Sequence, residues 1–81
     1  MQADYNNSKS KWITLLEKRG VIGNGKILKQ IVRCETGGRI DGFNDGLQVT
    51  GYDDDFLFVK NQYYAGAIAW DQISFMFFIE D

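Results

Sequence analysis

Acidic side chains are concentrated in one short segment, where three consecutive aspartates separate two apolar stretches. Asp53, Asp54 and Asp55, together with Asp41 and Asp45, carry the carboxylate oxygens that a divalent cation would need. Calcium takes about six to eight oxygen ligands, and the spacing here is not that of an EF-hand loop. Aspartate is also common in tight turns, because its side chain bonds nearby backbone and it tolerates unusual dihedral angles. The triplet therefore predicts a turn, and no metal is assigned to it.

Aromatic side chains form the second group with chemical potential. The 81 residues include six Phe, four Tyr and two Trp. Tyr63, Tyr64, Trp70 and Phe75 are candidates for stacking on the bases of single-stranded RNA, an interaction worth about 1–3 kcal/mol per base. Aromatic residues at alternating strand positions also fill cores and subunit interfaces. The sequence alone leaves both interpretations open.

The residue types that are missing exclude several classes of protein. The chain has no histidine and one cysteine, Cys34. It therefore lacks the side chain most used for acid–base catalysis near neutral pH, and one chain alone has too few ligands for a structural zinc site. We predict a protein that is not an enzyme and that uses no cofactor.

The segment from Gly20 to Lys26 matches the letters G-x-x-x-x-G-K of a phosphate-binding loop. In such loops a strand precedes the motif and a Ser or Thr follows the lysine to hold magnesium. Here the segment follows a predicted helix, and Ile27 takes the place of the Ser or Thr. We interpret it as a helix-to-strand connection.

The charge of the chain bears on its partners. The net charge is −2, whereas domains that bind nucleic acid without specificity are usually basic. Eight of the nine basic residues lie in the first half of the chain. The lone cysteine, the lack of an apparent secretory signal and the absence of a long apolar run predict a cytoplasmic protein with no membrane association.

A short helix is predicted to position the first basic residues. Residues 1–7 have no apolar pattern and are predicted to be a flexible arm. Ser8 or Ser10 can cap a helix over residues 8–19. Its apolar face is formed by Trp12, Leu15 and Leu16, and Gly20 is expected to end it.

Strands are predicted from residue 27 onward. Alternating residues over 27–34 indicate a strand with one nearly apolar face. A second strand over 39–52 is interrupted by Asn44-Asp45-Gly46, which predicts a tight turn or a bulge. Further strands are expected over 56–59, 63–70 and 73–79. Residues 8–81 are thus predicted to form a single, mainly β domain, a small barrel of five strands preceded by one helix.

Part of this strand pattern resembles a known family. Gln48-Val49, Gly51, Tyr52-Asp53, the apolar run 56–59 and Lys60-Asn61 follow the order found in the second and third strands of Sm-like proteins, the Hfq branch in particular. The resemblance implies a small, bent Sm-like or SH3-like barrel that forms a homo-oligomeric ring of six or seven subunits. It also implies binding of single-stranded RNA without catalysis.

The resemblance further suggests roles for particular residues. The last strand would pair with the fourth strand of a neighbouring subunit, and two acidic loops, residues 52–55 and 70–72, would face the pore. The Lys-His pair that binds RNA in the family falls at Trp70-Asp71 here, so phosphate would be repelled there. The expected RNA-binding residues are Lys9, Lys11, Arg19, Tyr63, Tyr64, Trp70 and Gln72. The expected pore-facing loop contains Tyr52, Asp53, Asp54 and Asp55. The expected oligomer interface contains Ile73, Phe75, Met76, Phe77 and Phe78.

One alternative function follows from the acidic composition. The chain would be a small protein–protein interaction module or inhibitor with an SH3-like barrel, presenting its carboxylates to a basic protein partner. In that case it would be a monomer in which the N-terminal helix covers the apolar last strand. Salt dependence distinguishes the two functions, because RNA binding weakens steeply as salt rises.

Overall fold

One helix precedes six short strands in the computed structural model, which describes residues 4–79. The elements in chain order are α1 (Asp4–Lys18), β1 (Leu28–Arg33), β2 (Arg39–Asp41), β3 (Gln48–Tyr52), β4 (Phe56–Lys60), β5 (Ala65–Ala69), a short 3₁₀ helix (Trp70–Gln72) and β6 (Ile73–Phe78). The prediction of a mainly β chain with one N-terminal helix is confirmed.

The strands form two antiparallel sheets of three strands each, ordered β2-β1-β6 and β3-β4-β5. The predicted closed barrel of five strands is therefore wrong. The chain leaves the first sheet after β2 and enters the second at β3, because Phe43 and Gly46 adopt positive φ angles of 58° and 86° that a continuous strand cannot accommodate. A bridge joins the sheets at this point: Leu28 and Leu47 exchange two N–H···O bonds of 2.8 Å.

The helix begins at Asp4, four residues before the predicted start near residue 8. Residues 4–7, predicted to be part of a flexible arm, are thus helical, while residues 1–3 of that arm lie outside the described residues. A serine that can cap a helix does not prevent the helix from extending further toward its N-terminus. Sequence patterns therefore predict the end residues of a helix less accurately than the presence of the helix.

The end of the helix agrees with the prediction at Gly20. This residue adopts φ +79°, and its N–H donates to the carbonyl of Glu17 at 3.1 Å. The Val21 N–H donates to the carbonyl of Leu16 at 2.9 Å. Together these bonds form a Schellman motif, in which a left-handed glycine closes the helix. Leu16 and Val21 are both buried, which adds the apolar contact that accompanies this motif.

The predicted apolar face of the helix is partly buried. Leu16 is fully buried, whereas Trp12 and Leu15 are half-buried. Ile13 also packs against the core, and the helix contacts the 3₁₀ helix that precedes β6. Since isolated helices of this length are marginal in water, this docking stabilises α1.

Strand β1 departs from simple alternation. Leu28 and Ile31 are both fully buried although they are three residues apart. The register with β6 shifts between Leu28 and Gln30, which marks a bulge. One extra residue at a bulge reverses the side-chain alternation beyond it. The regular alternation predicted over residues 27–34 is therefore interrupted between Leu28 and Gln30.

The core is apolar and draws on both sheets and the helix. Its fully or nearly fully buried members are Leu16, Val21, Leu28, Ile31, Leu47, Leu57, Val59, Ile68, Trp70, Ile73 and Met76. Full burial of one such side chain stabilises the fold by about 1.5–3 kcal/mol. This core fixes the two ends of β4, where the candidate functional residues lie.

Candidate functional site

Strand β4 separates the two loops that contain most of the candidate residues. The acidic turn, defined as residues 53–55, precedes β4, and the tyrosine turn, defined as residues 61–64, follows it. A strand rises about 3.3 Å per residue, so the five residues of β4 place the two turns about 17 Å apart. The residues predicted to act together on RNA are thus divided between opposite ends of a strand.

The acidic turn is built by the side chain of Asp53. Its Oδ1 accepts hydrogen bonds from the backbone N–H of Asp55 at 2.9 Å and of Phe56 at 2.8 Å. The Asp53 N–H donates to the carbonyl of Phe56 at 2.9 Å. The first aspartate of the triplet therefore has the turn-forming role expected of this residue type.

Trp70 is held against the acidic turn. Its Nε1–H donates to the carbonyl of Asp53 at 2.9 Å, and its backbone N–H donates to the carbonyl of Asp55 at 3.2 Å. The ring of Tyr52 contacts the indole edge-to-face at 6.1 Å. Trp70 is 0% exposed, which contradicts its predicted role in stacking on RNA, because no face of the indole is free. The two segments predicted to face a pore do lie side by side.

The basic residues in the helix and directly after it are in different environments. The Nζ of Lys9 donates to Oδ1 of Asp54 at 2.7 Å. This hydrogen bond raises the pKa of Lys9 and lowers the pKa of Asp54. Lys11 is exposed, and the guanidinium of Arg19 lies 4.4 Å from the ring centroid of Phe78. Lys9 is thus engaged with the acidic turn, while Lys11 is at the surface.

The aspartates considered as cation ligands do not converge. Asp41 lies on β2, where its Oδ1 accepts from Nε2 of Gln30 at 2.7 Å and its Oδ2 accepts from the N–H of Phe43 at 2.8 Å. Its backbone carbonyl is bonded to Asn61, at the far end of β4 from the triplet. Within residues 4–79, no group of three or more His, Cys, Asp or Glu side chains is placed to hold a metal ion.

The tyrosine turn is built by Asn61. Its Oδ1 accepts hydrogen bonds from the N–H of Tyr63 at 2.8 Å and of Tyr64 at 2.9 Å, and its Nδ2 donates to the carbonyl of Asp41 at 2.6 Å. Strand β5 therefore begins at Ala65, two residues later than predicted. Tyr63 is 69% exposed and Tyr64 is 49% exposed, so both remain available for contacts with a ligand.

Sequence reasoning did not identify Phe43. Its ring contacts that of Tyr63 edge-to-face, with 4.9 Å between centroids and 88° between planes. Phe43 is 49% exposed although its φ is positive. The sequence signals the interruption at residues 44–46 but contains nothing that predicts which distant loop Phe43 contacts.

A cavity of about 260 Å³ lies between the tyrosine turn and the loop that follows β2. It is lined by Ile27, Asp45, Gly46, Gln48, Lys60, Asn61 and Gln62. The lining combines three side-chain amides, one basic group and one acidic group. Such a surface can hydrogen-bond and orient a small polar ligand.

The predicted oligomer interface is divided between the core and the surface. Ile73 and Met76 of β6 are buried, and Phe78 is half-buried. Phe75 and Phe77 are 53% and 36% exposed, and their rings are 4.8 Å apart. Helix α1 therefore does not cover these two rings. Among the described residues, no strand pairs with the outer edge of β6 or of β5.

Gln72, another predicted RNA-binding residue, lies beside β5. It is half-buried and lines a cavity of about 220 Å³ together with Arg33 and Ile40. This cavity borders Ala67, Ile68 and Ala69. Gln72 is therefore close to a basic residue but belongs to a different part of the surface from the tyrosine turn.

Neither the family models, nor the curated proteins, nor the solved structures compared with this chain gave a match.

In the part of the chain that the structure describes, no helix has both the length and the apolar character needed to cross a membrane. The geometry thus defines a mainly β chain with two open sheets, in which β5 and β6 are edge strands, and two chemically different turns.

Proposed function

We propose that this chain is an Sm-like subunit that assembles into a homo-oligomeric ring and binds single-stranded RNA without catalysis. The observation that carries the proposal is the pair of unpaired edges on β5 and β6, the two strands that would join neighbouring subunits. An exposed, apolar edge strand invites pairing with another chain. The aromatic residues near the tyrosine turn supply the surface for RNA.

The strand order supports the resemblance to Sm-like proteins. If β2 and β3 are taken as two parts of one strand interrupted at residues 42–47, the chain has one helix followed by five antiparallel strands. The residues that carry the resemblance form β3 and β4, which pair with Gln48 opposite Lys60 and Val49 opposite Val59. These two strands thus have the hairpin arrangement that the resemblance implies.

The two edges are complementary in size. Strand β6 exposes the large rings of Phe75 and Phe77, whereas β5 exposes Ala65, Gly66 and Ala67. Pairing of β6 in one subunit with β5 in the next would extend both sheets and place aromatic rings over Gly66 and its alanine neighbours, and an aromatic residue across from an edge glycine helps to fix strand register. Because the two edges differ, the contact is heterologous, and repeated contacts of this kind form a ring when the rotation between neighbouring subunits closes.

Light scattering coupled to size exclusion tests the ring. The expected mass is six or seven times the 9.3 kDa of one chain. Ala67→Lys places a charge on the β5 edge and should give a monomer with an unchanged circular dichroism spectrum. Thr50→Lys adds the same charge at an exposed position of β3 and should leave the assembly intact. A monomeric or dimeric wild-type protein would refute the ring.

Fluorescence anisotropy with labelled single-stranded oligonucleotides tests RNA binding. We expect the association constant to fall as the salt concentration rises. On a plot of its logarithm against the logarithm of salt concentration, each phosphate contact should contribute about −0.7 to the slope. Lys11→Glu should weaken binding because Lys11 is exposed, whereas Lys9→Gln should have a smaller effect because Lys9 bonds to Asp54. A wild-type protein that binds no oligonucleotide at low salt would refute this part of the proposal.

The acidic turn favours a second candidate function, the acidic protein-interaction module. Asp54 accepts a hydrogen bond from a lysine of its own chain, and a lysine of a partner protein could bind the turn in the same way. A lysine-rich peptide titrated in NMR should then shift the signals of residues 53–56, and Asp54→Asn should abolish the shift. A peptide that leaves these signals unchanged would exclude this function.

A further inference from the structure

We propose that Phe43, Tyr63 and the adjoining cavity form a binding site for one nucleotide unit, with its base against the aromatic pair and its phosphate near Lys60. This inference rests on the proposed function where the nucleotide belongs to RNA. It adds a residue, Phe43, from the loop that interrupts the predicted second strand. It also places the site about 17 Å from the acidic turn, as judged from strand rise.

The backbone at Phe43 is the first argument. A left-handed conformation is strained for a residue with a side chain, and Phe43 adopts it with a φ of 58°. It is maintained here by the bond from the Phe43 N–H to Asp41 Oδ2 at 2.8 Å, and by the bond from the Gly42 N–H to the Lys29 carbonyl at 2.8 Å. In this conformation Phe43 is 49% exposed and does not belong to the core. Strained residues that persist without benefit to the core are concentrated at functional sites.

The second argument is that one residue couples the two aromatic side chains. Asn61 fixes Tyr63 by accepting its N–H, and it fixes the loop carrying Phe43 by donating to the Asp41 carbonyl at 2.6 Å. The rings stand at right angles with 4.9 Å between centroids, and Tyr63 remains 69% exposed, which leaves ring surface for a planar base beside the pair. The pair is positioned before any ligand arrives, which reduces the entropic cost of binding.

The third argument is the chemistry of the cavity lined by Asn61, the residue that fixes both aromatic side chains. Gln48 and Gln62 offer amide donors and acceptors that suit the edge of a base, and Lys60 offers a positive charge for phosphate. The carboxylate of Asp45 also lines the cavity. It disfavours phosphate on its own side and can accept a hydrogen bond from a ribose hydroxyl. Aromatic stacking combined with one cation is the pattern of single-stranded nucleic-acid sites.

Three variants of the full chain test the site by oligonucleotide anisotropy and NMR. Phe43→Gly removes the ring and relaxes the left-handed backbone, so it should bind more weakly without losing stability. Tyr63→Ala removes the stacking face. Each should weaken binding about 5- to 150-fold, as expected for loss of one base–aromatic stack. The control is Phe56→Ala, which removes a 42% exposed ring at the acidic end of β4 and should leave affinity unchanged.

The outcomes separate this inference from the proposed function. If the wild-type protein binds RNA and both Phe43→Gly and Tyr63→Ala bind equally well, the nucleotide site is refuted and RNA binding stands. If the wild type binds neither mononucleotides nor oligonucleotides, both proposals fail. A mononucleotide that shifts the signals of residues 43–48 and 60–63 identifies a free nucleotide as ligand, and a response to oligonucleotides alone identifies RNA. A change in oligomeric mass in either variant would instead assign the pair to a subunit contact and refute the site.

Discussion

Replacing Gly42 with alanine tests whether close backbone contacts fix the loop between β2 and β3. A Cβ at this position would lie 2.5 Å from the nitrogen of Leu47 and 2.6 Å from the carbonyl carbon of Gly46. Both are backbone atoms, so no side-chain rotation can relieve the contact. The loop itself must move, and with it the backbone that carries Phe43.

The expected loss of stability follows from the bonds that this movement disturbs. Four backbone–backbone hydrogen bonds hold the loop: Gly42 N–H to Lys29 at 2.8 Å, Gly46 N–H to Gly42 at 3.0 Å, and the reciprocal pair between Leu28 and Leu47 at 2.8 Å each. Overpacking costs about 1–3 kcal/mol, and each lost hydrogen bond costs about 1 kcal/mol. With one bond broken, Gly42→Ala should lower the free energy of unfolding by about 2–4 kcal/mol.

Urea unfolding followed by tryptophan fluorescence measures this loss, because Trp70 is fully buried in the folded chain. The control is Gly51→Ala, whose Cβ would meet only Phe58 Cδ2, at an ordinary 3.8 Å. All proteins should be compared at one protomer concentration, since assembly contributes to apparent stability. A Gly42→Ala protein within about 0.5 kcal/mol of wild type, the usual range for surface substitutions, would refute the argument that these contacts fix the loop.

Three further predictions concern the core, the helix end and the acidic turn. Leu57→Ala should cost about 2–5 kcal/mol in urea unfolding, whereas removal of the neighbouring Phe56 ring, which is largely exposed, should cost much less; equal losses would contradict the assigned burial. Gly20→Ala should cost about 1 kcal/mol, because alanine is strained at φ +79°, and an unchanged midpoint would argue against the Schellman motif. The hydrogen bond from Lys9 lowers the pKa of Asp54, so its stabilising effect is present above the ordinary carboxyl pKa and is lost as pH falls through the lowered one. An NMR titration should show the pKa of Asp54 rising in Lys9→Gln; no rise would exclude the bond in solution.

Local sequence signals predicted most of the secondary structure. The glycine at residue 20 ends the helix because only a residue without a side chain adopts the left-handed conformation at little cost. The apolar run before Lys60 forms β4, and the aspartate triplet forms a turn, because both depend on interactions between residues close in sequence. The bulge in β1 was not predictable, since it depends on the register with β6, more than 40 residues away.

The candidate site was predictable only in part. Exposed Tyr63 and Tyr64 agree with the interpretation of these residues as accessible aromatics, whereas Trp70, also aromatic and part of the same predicted strand, is buried. Its burial depends on the acidic turn, whose carbonyl groups accept both of its N–H groups. Composition cannot distinguish an aromatic residue that contacts such a partner from one that does not.

The sequence by itself determined the helix end, the approximate positions of the strands and the acidic turn, because these follow from periodicity and from side chains that bond nearby backbone. Only the tertiary structure decided that the strands form two sheets, that Lys9 binds Asp54, and that Phe43 contacts Tyr63. The last contact joins residues that are 20 positions apart through Asn61 and the carbonyl of Asp41. Such contacts depend on how segments far apart in sequence are arranged in space, and a local pattern of residue types does not predict that arrangement.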